Sequence, residues 1–250
     1  MKILIAGGCG FIGSNLSIFL SKKNFKVLSV DNLSKNYCLL NEHRLKKHKI
    51  KNLRIDISKK KNLGKIKFKP DIVIDCAAEP AVEVSLKNPE KVIKNNFLTT
   101  LNLLNFCRKT NSKIIFLSSS RIYSIEKSYK FFKSSKIEKY SEKTSTEGVK
   151  TIYGFTKYAS ELLIKEFSYS YGIKYLINRV GLTTGPWQFG KVEQGLVSLW
   201  LWKHLNNQKL AFIGFGGTGN QIRDVIDVDD FSQLIYLQVK KLNKIYNQTF

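Results

Sequence analysis

A short apolar strand that runs straight into a spaced glycine string leaves a chain few folds to adopt. Here Ile3-Leu4-Ile5-Ala6 is followed at once by Gly7-Gly8-Cys9-Gly10-Phe11-Ile12-Gly13, and Phe11 to Leu20 then carries apolar residues at helical spacing. Strand, tight turn and helix in this order make a cradle for a pyrophosphate: Gly7 permits the turn, Gly10 lets backbone N–H groups approach phosphate, and Gly13 lets the helix pack on the strand. Flexible loops produce glycine strings by chance, but they do not place them between a strand and an amphipathic helix. The expectation is a dinucleotide-binding α/β domain.

The next strand-like run, Phe25 to Val30, ends in Asp31-Asn32. A carboxylate about 20 residues past the glycines is placed to accept hydrogen bonds from the adenosine ribose, and it would repel a 2′-phosphate. NAD is therefore expected rather than NADP. Asp56, closing a third run at Leu53-Arg54-Ile55-Asp56-Ile57, is a weaker candidate for the adenine end.

Further runs near residues 71–76, 113–118 and 174–178 alternate with helical periodicity from Pro89 to Lys109 and from Tyr153 to Tyr171. Such alternation implies a Rossmann-type, doubly wound parallel sheet with right-handed crossovers. Residues 1–178 are expected to form this NAD-binding domain. Residues 179–250, with Gly-rich loops and a Trp-rich helix at about 192–207, are expected to form a smaller substrate lobe, with some segments returning to the sheet. The polar, lysine-rich stretch from Ser124 to Lys150 reads as a surface insertion beside the site.

Composition excludes more than it identifies. The net charge of +23 raises nucleic-acid binding, yet only six of the 42 cations are arginine and they are scattered along the chain. That pattern disfavours a nucleic-acid reader, although the charge can still attract an anionic substrate. No run of 18 apolar residues suits a membrane span, and the opening run is expected to be a strand rather than a signal peptide. Cys9, Cys38, Cys76 and Cys107 show no paired spacing and read as small buried residues of a reducing, cytoplasmic compartment. The three histidines form no metal-ligand pattern, so no metal is expected.

The chemistry-bearing residues lie further on. Ile114 to Leu117 runs a core strand into Ser118-Ser119-Ser120, and Tyr153-Gly154-Phe155-Thr156-Lys157 opens a helix. Tyr and Lys four apart share a helix face, where an ammonium can lower the phenol's pKa and hold a ribose. A serine at the strand end would hydrogen-bond the same sugar hydroxyl from which the phenolate takes a proton.

With these residues the chain resembles the extended short-chain dehydrogenase/reductases, specifically the NAD-dependent sugar-nucleotide epimerases and dehydratases. Gly7 to Gly13, Asp71 to Ala78, Asn96, Ser118 to Ser120, Tyr153-x-x-x-Lys157 and Arg223-Asp224-Val225 fall in the family's order. The resemblance implies Ser119, with Ser120 as fallback, Tyr153 and Lys157 as the catalytic set. It adds Phe11, Ile12, Asn32, Ile57, Ala77, Ala78 and Asn96 to the cofactor contacts, and gives Arg223 the substrate diphosphate. Segments 185–195 and 214–225 are most similar to the CDP-paratose 2-epimerases (CDP-tyvelose epimerases) within the family, as is Leu182 where galactose-type members carry Asn. They imply a CDP-sugar substrate, transient oxidation to a ketone and re-reduction on the opposite face. A 4,6-dehydratase would carry an Asp-Glu pair where this chain has Ser120-Arg121. The alternatives are another NAD-dependent sugar-nucleotide 4-epimerase or dehydratase or, from another class, a truncated, non-catalytic sugar-nucleotide-binding module.

Glu79, Gln188, Lys191 and Gln194 complete the expected substrate set. Asp75 stands in place of a frequent His, and Thr99 in place of a frequent Gly. The chain is expected to lack the last tens of residues of the family's substrate lobe. The helices from Pro89 and Tyr153 are expected to pair in a homodimer or higher homo-oligomer.

Overall fold

The computed structural model describes residues 1–124, 126–127, 141–189, 195–212, 215–219 and 223–250. Most of the expected insertion after Ser124 therefore lies outside the described residues, as do Lys191 and Gln194.

Seven parallel strands form the central sheet. In chain order they are β1 (Lys2–Ala6), β2 (Lys26–Asp31), β3 (Lys51–Arg54), β4 (Ile72–Asp75), β5 (Lys113–Leu117), β6 (Tyr175–Asn178) and, after β7 (Leu182–Thr184) and β8 (Val225–Asp227), β9 (Gln248–Thr249). The spatial order is β3-β2-β1-β4-β5-β6-β9. β1 thus has β2 on one side and β4 on the other, and the chain reverses direction across the sheet there. Ligands of such sheets bind at that switch point, beyond the carboxyl ends of the strands.

The central strands β1, β4, β5 and β6 are mostly apolar because both of their faces are covered, whereas the edge strand β3, Lys51–Arg54, is largely polar. Leu4, Ala6, Val30, Val73, Ile114 and Phe116 face one side and pack on Leu103 and Leu104 of α5 (Thr99–Thr110) and Ile164 of α6 (Ile152–Tyr171). Their neighbours Ile3, Ile5, Ile72, Ile74, Ile115 and Leu117 face the other. That side is closed by Leu16 and Leu20 of α1 (Phe11–Lys22) and by Phe231, Ile235 and Val239 of α8 (Val228–Ile245). The two-residue alternation of a strand sorts the core into these two clusters. Burying each such Ile or Leu stabilises by roughly 1.5–3 kcal/mol.

The periodic stretch from Pro89 is not one α-helix. α4 (Pro89–Ile93) passes into a π-helical turn, Lys94–Leu98, before α5 begins. Upstream lie α2 (Tyr37–Lys47) and α3 (Val82–Lys87). Beyond residue 178 the chain divides. β7 and β8 pair in parallel away from the sheet, and α7 (Leu196–Leu205), the Trp-rich helix, buries none of its residues. α8 and β9 return to the main sheet, where Gln248 pairs with Leu176. Among the described residues no helix is long and apolar enough to cross a membrane.

Candidate active site

The glycine turn is shaped by close backbone approaches. Gly7 has φ +71° and donates its N–H to Val30 O at 2.9 Å. A Cβ on Gly13 would stand 2.2 Å from the Gly7 carbonyl oxygen, a contact that neither backbone can relieve. α1 starts here with neither a side-chain cap nor an acid in its first turn. The N–H groups around Phe11 and Ile12 and the positive end of the helix dipole are therefore kept for an anion. The Ile12 side chain itself turns into the core.

One cavity opens above this turn, lined by Gly7, Gly10, Asp31, Asn32, Asp56, Ile57, Ala77, Ala78 and Glu79. Asp31 accepts the N–H groups of Cys9 at 3.1 Å and Leu33 at 2.8 Å, which fixes its carboxylate at the rim. Burial pushes its pKa up, and those two hydrogen bonds oppose the shift. Asp56 is similarly held by Ser58, and Asn32 by the Ser34 N–H. Asn96 stands behind the cavity rather than on it. Its Oδ1 accepts the Glu79 N–H at 2.7 Å, and its Nδ2 donates to Thr156 Oγ1 at 3.0 Å. The π-helical turn aims Asn96 inward, so its work here is to clamp the Glu79 loop to α6, while neighbouring Asn95 lines the cavity.

The three serines after β5 go three ways. Ser118 gives its hydroxyl to Glu161 of α6, which also holds Arg179 at 2.9 Å. Ser120 is exposed and donates its backbone N–H to Val180 O. Only Ser119, 8 % exposed, stands where its hydroxyl acts on the Tyr153 phenol, lowering its pKa against the effect of burial. Geometry thus brings together the first-choice serine and the tyrosine. Tyr153 sits in the first turn of α6, capped by the Thr151 hydroxyl. A Cβ on Gly154 would stand 2.2 Å from Arg121 O, so the helix start lies hard against the turn that carries Arg121.

The electrostatics differ from the expectation. Burial pushes the Tyr153 phenol above its ordinary value, and the opposing influences are the Ser119 hydrogen bond and the charge of Arg121. Lys157 is not among them. Its buried ammonium donates to Leu117 O at 2.7 Å and stands 4.6 Å over the Phe116 ring. Burial lowers the Lys157 pKa, with Asp75 as the chief opposing charge. Among the described residues, Arg121 is the cation whose charge opposes the rise in the phenol's pKa.

On the substrate side, Arg223 is repelled by Arg121, and partial burial together with that charge lowers its pKa. Gln188 is committed within its own lobe. Its amide donates to Thr183 O at 2.8 Å and its oxygen accepts from Thr184 and Ser198, tying the loop after β7 to α7. That loop also rests on the cofactor side: Asn15 donates to Pro186 O at 3.0 Å, Arg44 lies over the Trp187 ring, and Tyr37 stacks on Phe189. Sequence reasoning passed over Glu161, Lys35 and Arg121 as functional residues. Glu161 is signalled by its place four residues past Lys157, whereas Lys35 is one lysine among many.

The model of the NAD dependent epimerase/dehydratase family matches residues 3–248. The CDP-paratose 2-epimerase of Salmonella typhi is 29% identical over 100% of this chain and 78% of its own length. A putative UDP-glucose 4-epimerase of Methanocaldococcus jannaschii is 33% identical over 98% of this chain and 75% of its own. The crystal structure of the Thermus thermophilus UDP-glucose 4-epimerase in complex with NAD superposes with a TM-score of 0.83 at 26% identity, covering 100% of this chain and 76% of that one.

Proposed function

The chain belongs to the NAD-dependent epimerase/dehydratase family, and from that membership we propose that it epimerises a nucleotide-diphosphate sugar, with a CDP-sugar of the paratose/tyvelose type as substrate. NAD is the cofactor, and the site fits it: a glycine cradle closed to any side chain, a free helix N-terminus and a rim carboxylate for the ribose. Bound there, NAD would supply a reversible two-electron oxidation of a sugar carbinol.

The Ser119–Tyr153 contact at the carboxyl end of β5 carries the proposal. Tyr153 exchanges the proton of the sugar hydroxyl, and Ser119 orients that hydroxyl. Lys157 keeps two of its three N–H donors after Leu117 O, enough to grip ribose hydroxyls. Arg121, with Ser119, opposes the rise that burial gives the phenol's pKa, and Arg223 is suited to the substrate diphosphate as a bidentate donor. Ser120 and Arg121 offer no acid–base pair for water loss, which favours epimerisation over dehydration. The CDP preference is supported by the residue pattern of segments 185–195 and 214–225 and by the likeness to the Salmonella enzyme, which runs over all of this chain and 78% of that enzyme.

The test is to incubate the purified chain with CDP-paratose and with UDP-glucose and to resolve the products by chromatography. Interconversion of the CDP-sugar alone is expected. Turnover of the UDP-sugar alone would overturn the CDP assignment, and a 4-keto-6-deoxy product from UDP-glucose would overturn epimerisation. Homodimerisation through α5 and α6 is part of the same reading, supported by Phe155 and Leu162, exposed apolar residues seven apart on α6. Light scattering at the monomer mass would refute it.

A further inference from the structure

The cofactor cavity is acidic for a place that takes a diphosphate. Among the described residues lining it stand three carboxylates, Asp31, Asp56 and Glu79, and a single cation, Lys35. Lys35 lies in the loop after β2, four residues past Asp31, and its Nζ is 2.6 Å from Glu79 Oε2. Glu79 comes from the far side of the switch point, in the loop after β4, so the pair joins the two edges of the cavity.

Glu79 is an unusual partner for a surface lysine. It is 2 % exposed, and its Oε1 has no hydrogen-bond partner. Its backbone is clamped on both sides by Asn96, N–H to Oδ1 and Nδ2 to carbonyl oxygen. Among the described residues the other cation within reach, Lys91, stands 4.0 Å away and half exposed, and does not line the cavity. A buried carboxylate with one oxygen unmet and a fixed backbone does not follow its partner. It holds the partner in place. Lys35 spends one N–H on Glu79 and retains two, directed by a contact that tethers an otherwise mobile four-carbon stem.

We propose that Lys35, positioned by Glu79, is the cation that offsets the diphosphate of the bound dinucleotide. The proposal rests on the NAD reading and extends it to two residues whose charges the glycine motif does not predict. Its physical basis is simple: two phosphates entering beside three carboxylates need a nearby positive charge, and a preset ammonium is stronger than one that must be ordered on binding.

The test compares ADP with adenosine, ligands that differ in the diphosphate, by calorimetric titration, alongside the NAD retained through purification. Lys35→Met should weaken ADP about 10-fold and leave adenosine unchanged, while Lys35→Arg keeps ADP within about 3-fold. Glu79→Gln should weaken ADP by a smaller factor, because Lys35 keeps its charge and loses its anchor. Lys91→Met is the control and should bind ADP as the parent does. Parent-like ADP binding by Lys35→Met, or equal losses for ADP and adenosine, would overturn the diphosphate role. Parent-like ADP binding by Glu79→Gln would overturn the positioning role. A parent chain that binds neither NAD nor ADP would instead refute the cofactor reading itself.

Discussion

The two ends of the site are built from different material. Between Gly7 and Asp31 it is mostly backbone: a turn with positive φ, a helix start and a carboxylate pinned by two N–H groups. Between Ser119 and Arg223 it is side chains drawn from β5, the turn after it, α6 and the strand pair beyond. The first end is shaped before any ligand arrives, because a carbonyl 2.2 Å from a notional Cβ admits only glycine. The second end keeps its charges in tension, with Arg121 against Arg223 and a buried phenol held above its ordinary pKa. A cofactor that stays put suits the first kind of construction. A substrate that must be caught, turned over and released suits the second.

The contrast is sharpest if chemistry and cofactor retention can be lost separately. Tyr153→Phe should reduce turnover about 10²- to 10⁴-fold while the protein still elutes with NAD, measured by denaturing release and chromatography. Turnover within a few-fold of the parent would remove Tyr153 from its role. Gly13→Ala should do the opposite, emptying the cofactor site through an overpacking cost of about 1–3 kcal/mol or more. Gly64→Ala, with nothing within 4 Å of the added carbon, should fall within about 0.5 kcal/mol of the parent in thermal unfolding. Ser119→Ala should cost turnover about 10-fold, the worth of one hydrogen bond to a group that carries charge during reaction.

The subtlest effect concerns pH. Burial raises the phenol's pKa, so proton abstraction gains as pH rises toward that value. Arg121→Met removes the opposing charge and should move this rising limb to higher pH, whereas Arg121→Lys should leave it near the parent's. An unmoved limb in the Met variant would return the tuning role to Lys157.

The same division decides what could be read from the residue order. The glycine turn, the Asp31 rim and the doubly wound class of the sheet follow from local patterns, because strand alternation and glycine spacing are short-range constraints, whereas the spatial order of the strands was not specified. Ser119 and Tyr153 could be paired only through the family's order, since 34 positions separate them and nothing local brings β5 to α6. Lys35, and its pairing with a Glu79 that was expected only as a substrate residue, were beyond reach for a plainer reason. In a chain with this many lysines one ammonium looks like another until a fold sets it against a buried carboxylate. The π-helical turn was missed because an apolar period of 3.6 tolerates one surplus residue without visible disruption. Gln188 was legible as a polar loop residue, but its three partners in its own lobe were not.

That surplus residue makes the segment from Lys94 to Leu98 sensitive to length in a way its neighbours are not. Each residue of helix is worth about 100° of rotation. Shortening the turn by one would relax it into ordinary α-geometry and swing α4 about its axis relative to α5. Either Asn96 would leave Glu79 and Thr156, or Leu103, Leu104 and Cys107 would leave the core. Exchanges of side chain at its exposed positions, Lys94 and Leu98, touch neither commitment. Here the polypeptide behaves as a counter: letters at the surface can change freely, but the tally between Ile93 and Thr99 cannot.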